Sequence, residues 1–85
     1  PKNPPTGPGH GRIAIVASRY NGLYVNGMVR AARAVLEGAQ VEVHRVPGAF
    51  EIPVAAGWLL DRPVGKCPDA ILCLGLVWQG ETAHA

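Results

Sequence analysis

Charge is scarce in this chain: 16% of its 85 residues are Asp, Glu, Lys or Arg, against 48% hydrophobic. Eight basic and six acidic residues leave a net charge of +2. That balance is too small, and too evenly spread, to argue for nucleic acid as a partner. The same composition excludes disorder for most of the chain. No apolar run reaches membrane-spanning length, and no signal-peptide pattern opens the sequence, so no membrane partner is expected. The two cysteines, Cys67 and Cys73, have neither metal-ligand spacing nor a C-x-x-C arrangement, so no metal site is expected. Cys73 falls in the most apolar run and reads as a small buried hydrophobe. A reduced, cytoplasmic protein is the expectation. Neither G-x-G-x-x-G nor a P-loop is present, which removes the common phosphate fingerprints. There is no internal repeat beyond a repeated strand-helix unit.

What is present suits one small domain. Residues 1–11 carry Pro1, Pro4, Pro5 and Pro8 among Gly7, Gly9 and Gly11, which predicts an extended, flexible arm. Arg12 to Ala17 is a short apolar run of the kind a central parallel strand requires. Asn21 is a candidate N-cap for a helix from about Leu23 to Glu37. Its apolar stripe is Val25, Met28, Val29, Ala32, Val35 and Leu36, with Gly38 as C-cap. Val41 to Val46 alternates, the pattern of a half-exposed edge strand, with His44 on its polar phase as a solvated histidine. A second helix is expected from about Glu51 to Asp61, with Pro53 tolerated in its first turn. Ala70 to Val77 is continuously apolar and reads as a strand buried on both faces. The pattern is βαβαβ, a parallel sheet of order 2-1-3 with its two helices on opposite faces.

In such a sheet the carboxyl ends of the strands line the binding crevice. Three segments lie there: Ala17-Ser18-Arg19-Tyr20-Asn21, Val46-Pro47-Gly48-Ala49-Phe50-Glu51-Ile52-Pro53, and Gly80-Glu81-Thr82-Ala83-His84. Gly80 to Thr82 is either an ordinary helix cap or a set of backbone N–H donors for a phosphate. His84 is either a surface histidine or a proton shuttle near neutral pH. Tyr20 can stack on a flat ring or cover the top of the core. Glu51 can cap its own helix, where a negative charge is favourable. Spacing alone gives a crevice and names no reaction.

Taken together, the three segments resemble the lumazine synthase family. The first is similar to its S/A-R-F/W/Y-N loop, the second to its V-P-G-A/S-aromatic-E-I/L-P segment, the third to its G-x-T-x-H motif. The resemblance runs from about Arg12 to His84 and covers the N-terminal half of a family member. It implies that residues 12–85 are the N-terminal part of a single flavodoxin-like domain, a three-layer α/β/α fold whose fourth strand lies outside this segment. It further implies the condensation of 5-amino-6-(D-ribitylamino)uracil with 3,4-dihydroxy-2-butanone 4-phosphate to 6,7-dimethyl-8-ribityllumazine, without metal or organic cofactor. A homopentamer, or a 60-subunit icosahedral shell built from pentamers, is implied as well.

By position, the resemblance assigns Tyr20 to stacking on the pyrimidine ring and counts Asn21 among the substrate-binding residues. Ala49, Phe50 and Glu51 would hold the ribitylaminouracil. Leu76, Val77 and Trp78 would offer backbone contacts to the ring. Glu81 and Thr82 would bind the butanone phosphate, and His84 would donate and accept protons. Three departures stand out: Gln79 replaces a usual Arg or Lys, Trp78 a smaller aliphatic, and Ala85 an aromatic. Besides the enzyme, two other classes fit the sequence: a non-catalytic relative that binds a flavin or lumazine, and an assembly subunit with a vestigial pocket. Retention of Glu51 and His84 favours the enzyme, because binding alone needs no proton shuttle.

Overall fold

The computed structural model describes residues 11–77. Of the expected arm only Gly11 falls among them, and the segment from Trp78 to Ala85 lies outside. In order the elements are β1 (Arg12–Ser18), α1 (Gly22–Val35), β2 (Gln40–Val46), a 3-10 turn (Ala49–Glu51), α2 (Ile52–Leu60) and β3 (Ala70–Leu74). All strand pairs are parallel and the spatial order is β2-β1-β3, as expected. Ile13 stands opposite Val41 on one side and Ala70 on the other, so the three carboxyl ends lie side by side.

β1 occupies the centre because it is apolar on both faces. Ala14, Ile15, Val16 and Ala17 are all fully buried. Successive strand side chains point to opposite faces. Ala14 and Val16 therefore pack with Ile52 and Leu59 of α2, while Ile15 and Ala17 pack with Val25 and Val29 of α1. Two helices on opposite faces of an open parallel sheet make the flavodoxin-like three-layer arrangement. Burial of each branched side chain such as Ile15, Val16 or Val25 contributes about 1.5–3 kcal/mol.

Three details depart from the sequence expectations. Val35 is 72% exposed, although it was counted in the apolar stripe of α1. At ~100° per residue, Leu36 rather than Val35 comes back over Val25. α1 ends with Leu36 as its C-cap, whose N–H donates to the Ala32 carbonyl. Gly38, expected to be that cap, instead takes its left-handed conformation two residues further on.

The third departure is β3. Its composition suggested burial on both faces, yet Leu72 is 37% exposed and Cys73 is exposed rather than buried. Among the described residues β3 pairs only with β1, so one of its edges is open. Ile71 and Leu74 pack against the two core clusters, while Leu72 and Cys73 between them are exposed. Apolar composition records what a strand is suited to, whereas burial needs neighbours on both sides. No helix among the described residues is long and apolar enough to cross a membrane.

Candidate functional site at the carboxyl ends of the strands

The β1–β2 pairing continues beyond Ser18. The Arg19 N–H donates to the Val46 carbonyl at 2.7 Å, and the Tyr20 N–H to the Pro47 carbonyl at 3.1 Å. These bonds seat Tyr20 beside the Pro-Gly turn of the second loop. Ser18 is fully buried, and its hydroxyl donates to the Tyr20 carbonyl at 3.2 Å, which tightens the same turn. Tyr20 remains 46% exposed. Asn21 is at the expected N-cap position, but not by the expected side-chain cap. Its backbone is left-handed (φ 61°, ψ 41°), a conformation that asparagine tolerates better than most residues. Its carbonyl accepts from the N–H groups of Tyr24 and Val25 at 3.1 and 3.0 Å. Its amide nitrogen instead reaches across the rim and donates to the Leu76 carbonyl at 3.1 Å.

The second loop is folded by Glu51. Its carboxylate accepts the Gly48 N–H at 2.8 Å, while its own N–H donates to the Gly48 carbonyl at 3.2 Å. This reciprocal closure turns the chain from β2 into the 3-10 turn and then α2, with Pro53 in the first turn. It presents Phe50 to solvent, 78% exposed, while Ala49 packs inward on the α2-side core.

The chain leaving β3, Gly75 to Val77, is held against the other two loops. A side chain at Gly75 would put its Cβ 3.1 Å from both Ala49 Cβ and Ile52 Cδ1, so glycine lets the end of β3 lie this close to the 3-10 turn without displacing either neighbour. Leu76 packs into the α1-side cluster, and Val77 is exposed. Of the candidate site residues, Tyr20, Asn21, Ala49, Phe50, Glu51, Leu76 and Val77 are therefore brought to one rim. Trp78, Glu81, Thr82 and His84 lie outside the described residues.

Sequence reasoning missed two residues of this rim. Gly75 had a signal, since a lone glycine in an apolar strand run marks close backbone approach. Arg45 had none. Arg45 spans from β2 to α1, donating to Asn26 Oδ1 and, at 3.4 Å, to the Ser18 carbonyl.

Two further features lie on the α2 side of β2. A groove of about 350 Å³ is lined by Arg45, Val46, Pro47, Glu51, Val54, Ala55 and Trp58, the last 73% exposed. Nearby, Glu42 is paired with Arg62 at 2.9 Å and with His44. The Arg62 hydrogen bond first, and the His44 one second, lower the Glu42 carboxyl to a pKa of about 2; Arg62 is raised in turn. His44 is thus a half-exposed partner of a carboxylate. No group of three or more His, Cys, Asp and Glu side chains suited to a metal ion occurs among the described residues.

The fold and rim define the class of open, doubly wound α/β proteins, whose ligands bind outside the carboxyl ends of parallel strands. The sequence profile of 6,7-dimethyl-8-ribityllumazine synthase matches residues 10–85. The protein of that name from Xanthobacter autotrophicus is 44% identical over 77 residues, covering 86% of this chain and 47% of its own length. The Methylorubrum extorquens protein of the same name is 42% identical over 77 residues, 86% of this chain and 44% of its own. That from Pyrococcus furiosus is 40% identical over 76 residues, 86% and 46% respectively. The chain belongs to the 6,7-dimethyl-8-ribityllumazine synthase family and spans about half the length of these curated relatives.

Proposed function

We propose that the full-length protein carrying this chain condenses 5-amino-6-(D-ribitylamino)uracil with 3,4-dihydroxy-2-butanone 4-phosphate, giving 6,7-dimethyl-8-ribityllumazine, phosphate and water. The observation that carries this reading is the meeting of two family loops with the chain that leaves β3 on one rim, tied by the Tyr20–Pro47 and Asn21–Leu76 hydrogen bonds. Family membership supports the reaction.

The pyrimidine ring stacks on Tyr20 and meets the backbone of Leu76, Val77 and Trp78. Ala49, Phe50 and Glu51 take the ribityl side, where hydroxyls find the Glu51 carboxylate. Because that carboxylate already accepts the Gly48 N–H, it is fixed before a ligand arrives. The amine attacks the ketone, water leaves as the imine forms, phosphate is eliminated, and the ribitylamino nitrogen closes the ring on the remaining carbonyl with loss of a second water. Backbone N–H groups of Glu81 and Thr82 hold the phosphate. His84 moves the protons, a role for which an imidazole is suited near neutral pH. No metal or organic cofactor takes part.

The protein acts in the cytoplasm as a homopentamer or as a 60-subunit shell of pentamers. The exposed apolar side chains Leu23, Tyr24, Phe50, Val54, Trp58 and Leu60 support burial against other subunits. The test is an assay of the full-length protein with both substrates, read by lumazine fluorescence. Product should form, and His84→Ala should lower turnover by roughly 10²–10⁴-fold, the usual scale of a general acid/base group. Absence of product from an assembled parent protein would overturn the reading, and unchanged turnover in His84→Ala would remove His84 from it.

A further inference from the structure

We propose that Asn21 is a positioning residue of the rim, whose amide holds the end of β3 at the height a flat ring requires. This rests on the functional reading above for what the ring is, and on the structure for the latch itself. The Asn21 side chain stands where an N-cap side chain would close the first turn of α1, yet makes no cap bond there. It donates instead to the Leu76 carbonyl at 3.1 Å, 55 residues away in sequence. Asn21 and Tyr20 are neighbours, and Tyr20 is anchored to Pro47 and Ser18. The Leu76 carbonyl belongs to the chain that leaves β3.

The latch therefore fixes the gap between the stacking ring and the backbone opposite it. From the other side, the same tail is seated at Gly75 against Ala49 and Ile52. The tail Gly75–Leu76–Val77 lies beyond the last pairing of β3, Ala17 with Leu74, so the ladder itself does not hold it. Asparagine suits this position for two reasons that can be separated. It tolerates the left-handed backbone, and it carries an N–H donor at the required reach. Glycine keeps the first property only. Aspartate keeps the shape but offers oxygens, which repel a carbonyl at that distance.

The experiment compares Asn21→Gly and Asn21→Asp with the parent in the full-length protein. Hydrogen exchange is followed without ligand, and riboflavin binding is followed by fluorescence. Exchange in the peptide Leu72–Val77 should rise roughly 3- to 10-fold in both variants, the worth of one net hydrogen bond. Exchange across β1 should be unchanged. Riboflavin affinity should fall by a similar roughly 3- to 10-fold factor. If Asn21→Gly matches the parent, asparagine serves only its backbone conformation and the proposal is overturned. Unchanged exchange in the ligand-free variants with weakened binding would make Asn21 a direct ligand contact, which also overturns it. Raised exchange with unchanged affinity would detach the latch from the site, with the same consequence. A parent that binds no riboflavin counts against the functional reading, while the exchange arm still decides the latch.

Discussion

Gly75→Ala adds a single methyl group at the tightest point of the rim. The new Cβ would lie 3.1 Å from Ala49 Cβ and 3.1 Å from Ile52 Cδ1. Comfortable carbon–carbon contact begins near ~3.5 Å, so each neighbour must yield by several tenths of an ångström. Ile52 Cδ1 can swing about its last torsion. Ala49 Cβ cannot move without its backbone, whose Cα is itself 3.5 Å from the added atom. That backbone belongs to the 3-10 turn, which carries Phe50 and Glu51. Overpacking of this kind costs about 1–3 kcal/mol, and the movable isoleucine argues for the lower half of the range. The assay is denaturant unfolding of the full-length protein, as the parent, each single variant and the Gly75→Ala/Ala49→Gly pair. Removing the Ala49 methyl opens half of the crowded space, so the pair should be more stable than the sum of the singles by about 1 kcal/mol, within the range of contacting residues. Ring-ligand affinity should fall in Gly75→Ala and partly return in the pair. Unaltered stability in Gly75→Ala, or strictly additive singles, would refute the close-approach argument.

Tyr20→Ala should weaken binding of ribitylaminouracil or riboflavin by about 1–3 kcal/mol, by analogy with base stacking on aromatic rings, while Tyr20→Phe should be mild. Equal affinity of Tyr20→Ala and the parent in a binding titration would sink the stacking role. Glu42 has a folded pKa of about 2, below its ordinary 4.5, so its contribution to stability is complete above pH 4.5 and is lost as pH falls towards 2. The group is 44% exposed and screened by solvent, so the contribution is at most about 1 kcal/mol. The gap in unfolding midpoint between the parent and Glu42→Gln should accordingly close over that window, and a constant gap would count against the ion pair. Residues 1–85 expressed alone should aggregate and make no lumazine, because the outer edge of β3, with Leu72 and Cys73 exposed, invites pairing with another chain. Size-exclusion chromatography beside the fluorescence assay checks this; a folded, active monomer would overturn it.

Local pattern made much of this fold legible. A strand apolar at four successive positions, Ala14 to Ala17, must be covered on both faces, and that requirement placed β1 at the centre. The alternation of Val41 and Val43 with Glu42 and His44 marked β2 as an edge. At the second rim loop, Glu51 at the helix start is legible locally, whereas the 3-10 turn that it closes with Gly48 is not. Pattern was less informative where a property depends on distant partners. The apolar neighbours of Cys73 suggest burial, although its exposure depends on what flanks β3. Asn21 was legible as a helix start, but not as a donor to Leu76, since no local rule links positions 55 apart. Arg45 carried no signal at all, because its role is set by Asn26 on the facing helix.

The central claim is that the three strand ends form one site for a flat ring bearing a ribityl chain. The most direct test is the structure of the full-length protein with riboflavin or ribitylaminouracil bound. The ring should lie on Tyr20 opposite the backbone of Leu76 and Val77, with the ribityl chain along Ala49 to Glu51. A ligand seated instead in the groove beside Val54 and Trp58, away from Tyr20, would contradict the account.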